Sequence, residues 1–113
     1  MALALNVFQT VTAVVDTSPT VVYTAPVGYT GVVLLAQVAN IGGTSQDVSL
    51  SHERTVAGIA VTTEMLKEYP ISANDTANLL AGKLVLESGD KLVLSGSDNT
   101  NLKFIASILE TLN

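Results

Sequence analysis

The 113-residue chain has no cysteine and no tryptophan, and only five aromatic residues in all. Without cysteine there can be no disulfide and no thiolate metal site, so packing and backbone hydrogen bonds must hold the fold. So few aromatic rings make a base-stacking platform or the aromatic floor of a sugar site hard to assemble. Charge is scarce too. Asp, Glu, Lys and Arg together make up 13% of residues, about half of the roughly 25% usual in soluble domains. The five basic residues, Arg54, Lys67, Lys83, Lys91 and Lys103, are scattered through a chain of net charge −5. They form no track for phosphates, which argues against direct nucleic-acid binding. Apolar runs such as Val32 to Ala36 fall far short of the ~18 residues a membrane helix needs. The N-terminus has neither the basic start nor the small-residue cleavage site of a secretory signal, so the chain is expected to stay where it is made.

What is present is apolar and β-branched. Hydrophobic residues reach 48% and the mean hydropathy is +0.46. A single domain spanning 1–113, the organisation expected at this length, leaves much of its surface exposed. An apolar excess on such a domain predicts burial against other chains, in a homo-oligomer or a larger assembly. Val, Ile and Thr supply 33 of the 113 residues. Their stiff side chains fit pleated sheets better than helices.

Alternation locates the strands. Leu3, Leu5, Val7, Val11, Ala13 and Val15 share one parity, interrupted by Gln9, so residues 1–15 read as a strand or an apolar N-terminal arm. Asp16 to Pro19 makes a turn, and Thr20 to Thr24 a short strand. Thr30 to Asn40 is apolar on both faces, which predicts a central strand covered on both sides. Gln46 to Arg54 alternates cleanly, with Val48 and Leu50 inward. Thr63 to Ile71 starts like a helix, but Tyr69-Pro70 favours an extended edge. Asp75 to Ala81 reads as one helical turn capped by Asp75 and closed by Gly82. Lys83-Leu84-Val85-Leu86 and Lys91-Leu92-Val93-Leu94 read as a hairpin about Ser88-Gly89-Asp90. Leu102 to Thr111 is the last strand. About eight strands and no long helix give an all-β fold, a two-sheet antiparallel β-sandwich resembling a jelly roll, with a closed barrel as the other solution.

No constellation for catalysis emerges. His52 is the only histidine, and no nucleophile elbow accompanies it. Glu87 and Asp90 flank a turn, which accounts for them as charges at a wet hairpin tip. Asp98 to Asn101 alternates oxygens as calcium loops do, but lacks the later bidentate Glu. Neither Gly28 with Gly31 nor Gly42-Gly43 has the setting of a phosphate loop. No catalytic, cofactor or metal site is therefore assigned. The termini remain. Leu3, Leu5, Val7 and Phe8 at one end, with Ile105, Leu109 and Leu112 off or beyond the main inward face at the other, are the candidate interface residues, suited to strand addition.

Certain turns carry a further pattern. Val22-Tyr23-Thr24-Ala25-Pro26-Val27-Gly28-Tyr29-Thr30 leads into Gly31-Val32-Val33-Leu34 and ends near Val38-Ala39-Asn40, and Leu84-Val85-Leu86-Glu87-Ser88-Gly89-Asp90-Lys91-Leu92 follows. Over Val22 to Leu109 this resembles small virion structural proteins of tailed bacteriophages, especially those of marine cyanophages. Ser51 to Ile71 departs from that pattern as a charged, helix-like insert. The resemblance implies a non-enzymatic β-sandwich in the virion, assembled in the host bacterial cytoplasm. It would be a capsid decoration (cement) protein, or else a part of the neck, tail or fibre. The implied partners are the major capsid protein or other virion proteins and further copies of itself, a trimer above all. A carbohydrate-binding module using Tyr29 or Tyr69 is the rival from another class.

Overall fold

The computed structural model describes residues 6–113, which form nine strands and no helix. They are β1 (Asn6–Val14), β2 (Thr20–Thr24), β3 (Tyr29–Asn40), β4 (Gln46–Val56), β5 (Ile59–Ile71), β6 (Asp75–Asn78), β7 (Leu84–Leu86), β8 (Lys91–Gly96) and β9 (Leu102–Leu112). Every pairing is antiparallel. Sheet A runs β1-β9-β3, with β6 and β7 end to end along the far side of β3. Sheet B runs β2-β8-β4-β5. The pairs are nested: β1 with β9, β2 with β8, β3 with β6 and β7, and β4 with β5. That nesting is a ribbon rolled into a two-sheet jelly roll, the sandwich expected from the strand pattern.

Cross-strand register fills the core row by row. Ala13, Phe104, Val38 and Ala77 form one inward row of sheet A, and Val11, Ala106 and Ala36 the next. Val48, Leu50, Leu92 and Leu94 meet them from sheet B, all fully buried. Each such side chain contributes about 1.5–3 kcal/mol through burial. Gly96 lies at a point of tight packing between the sheets. A Cβ there would stand 2.7 Å from Leu102 Cδ1 and 2.9 Å from Val15 Cγ1.

Two polar ties cross the core. Tyr23 on β2 donates its hydroxyl to Glu110 Oε2 on β9 at 2.5 Å, and Gln9 Nε2 on β1 donates to Oε1 at 2.6 Å. Glu110 is only 4% exposed, so its charge is held by these donors rather than by bulk water. The Gln9 that interrupts the apolar parity of β1 is thus a partner for a buried acid. Gly31 lies opposite Glu110 and leaves room for the Tyr23 ring, since an added Cβ would meet the hydroxyl at 3.0 Å. Asn40 makes the second tie. Its buried Nδ2 donates to Thr44 O at 2.8 Å and Ile71 O at 3.1 Å, joining the ends of β3 and β5.

Several expectations need correction. Asp75 to Ala81 is not a helical turn: Asp75–Asn78 is strand β6, paired with Gln37–Asn40 of β3. The Leu79 N–H continues onto Ala36 O at 2.8 Å, and its side chain is buried. One helical turn fixes several residues for a single hydrogen bond, whereas the open edge of β3 satisfies the same groups and buries Leu79. The sixth strand of the roll is consequently broken into β6 and β7, giving nine strands in place of eight. Thr63 to Ile71 is the extended edge expected of it, part of β5; the helix-like insert Ser51 to Ile71 contains no helix and forms the β4–β5 ribbon, whose turn sits at Ala57 and Gly58, both with positive φ. The Lys83–Leu94 segment is not a hairpin. Strand β7 joins β3 in sheet A and β8 lies between β2 and β4 in sheet B, so Gly89 (φ +85°) turns an arch between sheets. Finally, β3 is covered on one face only. A bulge between Val33 and Leu35 switches its parity, leaving Val33, Ala36 and Val38 inward and both Leu34 and Leu35 exposed.

Candidate docking surface

The outer face of sheet A is built in rows by the same register. Asn6, Thr111 and Thr30 stand side by side at one end, followed by Phe8, Leu109, Val32 and Val85. Thr10, Ser107 and Leu35 come next, then Thr12, Ile105, Gln37 and Asn78, then Val14, Lys103, Ala39 and Thr76. The second row is a continuous apolar stripe across four strands. Phe8 is 76% exposed and Val85 56%. Leu35, Ile105 and Val14 are also exposed around it, and Lys103 is the one charged residue of the five rows. Aromatic and aliphatic side chains with little charge among them are what the centre of a protein interface contains.

The candidate interface residues divide on this frame. Phe8, Ile105 and Leu109 point outward, and Phe8 and Leu109 are direct partners. Val7 lies in the inward row with Glu110, Gly31 and Leu86, and is half-buried. Leu112 follows the parity of Ile108 and Glu110 beyond the main inward face and sits half-buried beside Tyr29. Leu3 and Leu5 lie outside the described residues. Val32, Leu35 and Val85 belong to the surface but were not singled out. For Val32 and Leu35 the signal is the two-faced apolarity of β3, which in sequence reads as a strand covered on both sides; Val85 lies on β7 and joins them only through its pairing with β3.

The β4–β5 ribbon forms a second exposed apolar element. Strand β8 pairs with β4 only as far as Glu53. Beyond it Arg54 to Val61 pair only with each other, and Val56, Ile59 and Val61 are exposed.

A charged cluster fastens the base of that ribbon. Asp90, 2% exposed, accepts from Arg54 Nε at 2.9 Å and Nη2 at 2.6 Å, and from the Glu87 backbone N–H at 2.9 Å. His52 Nε2 lies 3.0 Å from its Oδ2. Arg54 reaches Glu87 as well, at 3.1 Å. The Arg54 guanidinium, helped by His52 and the Glu87 N–H, holds the Asp90 carboxyl far below the usual carboxylate range against the opposing effect of burial. Asp90 is therefore not a charge at a wet tip. The arch turns its side chain inward, where both oxygens are occupied, and the cluster clamps the β7–β8 arch to β4. His52 serves that clamp. The loop at Asp98 is likewise self-contained: Oδ1 accepts the N–H groups of Thr100 and Asn101 at 2.6 and 2.9 Å, which lowers its pKa. Among the described residues no group of three or more His, Asp or Glu side chains is placed to hold a metal ion.

The sequence matches no family model and no curated protein. Solved structures do share the fold. A chain of the viral particle of infectious bursal disease virus superposes with a TM-score of 0.60 at 11% identity, covering 97% of this chain and 32% of that one. A chain from the Gx strain of the same virus gives 0.54 at 11% identity over 93% and 31%. A chain of the Bacillus endospore appendages, which form a family of disulfide-linked pili, gives 0.50 at 11% identity over 100% and 97%. The chain thus spans about a third of the length of the viral chains it matches, and the whole length of the appendage chain. At this identity the likeness is one of fold: an all-β sandwich of the jelly-roll kind.

Proposed function

We propose that the protein is a non-catalytic structural subunit of a viral shell, docking through the outer face of sheet A onto neighbouring protein chains of the particle. The observation that carries this reading is the stripe Phe8–Leu109–Val32–Val85, an outward apolar row, exposed at Phe8 and Val85 and half-buried between them, whose register runs unbroken across four strands. The capsid setting of two fold neighbours supports it, as does the likeness of the turn sequences to virion proteins of tailed phages. Within that class the reading is a capsid decoration protein that binds between capsomers, with Phe8, Ile105 and Leu109 at the contact and Val7 and Leu112 beneath its rim. The mechanism is passive: area buried across several subunits favours the assembled shell by mass action.

Quantitative mass spectrometry of purified particles tests it. A decoration protein is expected at hundreds of copies and a neck or tail ring at about a dozen, by symmetry of assembly. Complete absence from particles rejects the virion reading. A specific observation favours a second one. The appendage chain matches from end to end, so a self-assembling filament subunit is the alternative. Its links would not be disulfides, because this chain has no cysteine.

A further inference from the structure

Most sheet edges of this molecule carry a device against pairing with another chain. In sheet B, β2 is five residues long, bulged between Val21 and Tyr23, and flanked by Pro19 and Pro26. The opposite edge, β5, is long, but its register with β4 shifts twice and it carries Glu64, Lys67, Glu68 and Pro70. On the far side of sheet A the edge is divided between strands of four and three residues. Strand β1 has none of these. Its nine residues keep an unshifted register with β9 and include no charge and no proline. Phe8, Thr10, Thr12 and Val14 stand exposed along it. Among the described residues β1 pairs only with β9, so its other side is an open edge.

We propose that the free edge of β1 pairs antiparallel with β1 of a second copy of this chain, joining two A sheets into one across a twofold axis. The occupant must be an extended strand with an open, unguarded edge of its own. Among the described residues β1 is the one strand that meets this description, so in a population of identical chains the partner is β1 itself. The contact is self-complementary, as a twofold interface requires. With the axis beside one residue, Val7, Val11 and Ala13 of both copies stay on the core-facing side and Phe8, Thr10, Thr12 and Val14 on the outer side, so neither pattern is inverted. No like charges are brought opposite each other, because β1 has none. The two outer faces become one surface with the apolar stripe doubled. Such a contact makes pairs, and so departs from the threefold arrangement implied by the phage resemblance.

The absence of native cysteine makes the test clean. Single variants Phe8→Cys, Thr10→Cys, Thr12→Cys and Val14→Cys of the full chain are oxidised at micromolar concentration. They are compared with Ile105→Cys and Val85→Cys, which share the face but not the edge. Light scattering should give twice the chain mass of 11.7 kDa. Disulfide dimer should peak at one β1 position and be about tenfold weaker at Ile105 and Val85, because bridging needs closely apposed Cβ atoms. The double variant Thr10→Lys with Thr12→Lys should convert dimer to monomer with an unchanged circular dichroism spectrum. A monomer that does not cross-link overturns the proposal, and so does cross-linking at Ile105 or Val85 equal to that at β1, which would mean stacking of faces. The shell reading is decided separately, by copy number: pairing can fail in a chain found in particles, or hold in a chain absent from them.

Discussion

The two sheets of the sandwich share one core but present opposite outer faces. On sheet B the outward rows read Ser49–Ser95, Ser51–Val93 with Glu64, and Glu53–Lys91 with Thr62. On sheet A the corresponding positions are Phe8–Leu109–Val32–Val85 and Thr10–Ser107–Leu35. The edges follow the same division, with sheet B guarded by charge, proline and bulges and β1 of sheet A left plain. Core packing needs only the inward parity of each strand, so it cannot account for this asymmetry. A chain with 13% charged residues has nonetheless concentrated its outward charge on one sheet. The difference separates a charged outer face with guarded edges from an apolar outer face with a plain one.

The largest expected effect comes from removing what anchors the guarded side. Asp90→Ala leaves Arg54, His52 and the Glu87 N–H without their shared acceptor. It should cost about 3 kcal/mol, the low end for breaking a buried pair because Arg54 retains contact with water. Chemical denaturation measures this, and a loss below about 1 kcal/mol would mean that water replaces the carboxylate. The same group sets the acid limit. Its folded pKa lies below the unfolded value of about 3.9, so its contribution is present above that value and is lost as pH falls through and beneath it. The wild-type protein should lose stability from about pH 5 downward. Asp90→Asn should be weaker at pH 7 and flatter in acid. Equal acid slopes for the two proteins would assign the limit to other carboxylates.

The next effect bears on the comparison itself. Phe8→Asp on sheet A and Val93→Asp on sheet B make the same kind of change on opposite outer faces. Phe8→Asp should weaken docking by about 2 kcal/mol, roughly thirtyfold, as loss of an exposed interface anchor does. Its effect on folding stability should stay within about 0.5 kcal/mol. Val93→Asp should leave docking unchanged. Co-sedimentation with shells or filaments reads both, and equal effects from the two variants would erase the distinction between the faces.

Much of this was legible in the sequence where one face of a strand is polar. The alternation in Gln46 to Arg54 marks Val48 and Leu50 as inward, where they are buried, and the shared parity of Val7, Val11 and Ala13 marks one face of β1. Legibility failed where local patterns are degenerate. A hairpin and an arch between sheets leave the same alternation in Leu84–Leu86 and Leu92–Leu94, so only the distant partners β3 and β4 decide between them. The bulge between Val33 and Leu35 adds one residue that no local signal marks, and without it an exposed apolar face reads as a buried one. The clamp at Asp90 was hidden for the same reason, since Arg54 is 36 positions away. The apolar outer face is legible only in part, because Phe8 and Leu109 are apolar where a solvated face would be polar, whereas Val85 becomes their neighbour only through β3.

The smallest effect concerns the tie between the two unlike sheets. Tyr23 and Glu110 face each other across the core, and burial, reinforced by the hydrogen bond to Glu110 and its charge, pushes the Tyr23 phenol well above its usual value of about 10. A group with a raised folded pKa contributes stability below its unfolded pKa and loses it as pH rises toward the folded one. The sandwich should therefore weaken above about pH 10, as deprotonation of Tyr23 comes to favour the unfolded chain. Absorbance of tyrosinate should show Tyr23 ionising together with unfolding. Tyr23→Phe keeps the ring over Gly31 and removes only the donor to Glu110, which still holds Gln9. It should cost about 1 kcal/mol at neutral pH and remove that share of the alkaline decline. If the variant declines as steeply as the wild type, the alkaline limit lies with other groups, and the tie between the sheets rests on apolar packing and Asn40 rather than on this hydrogen bond.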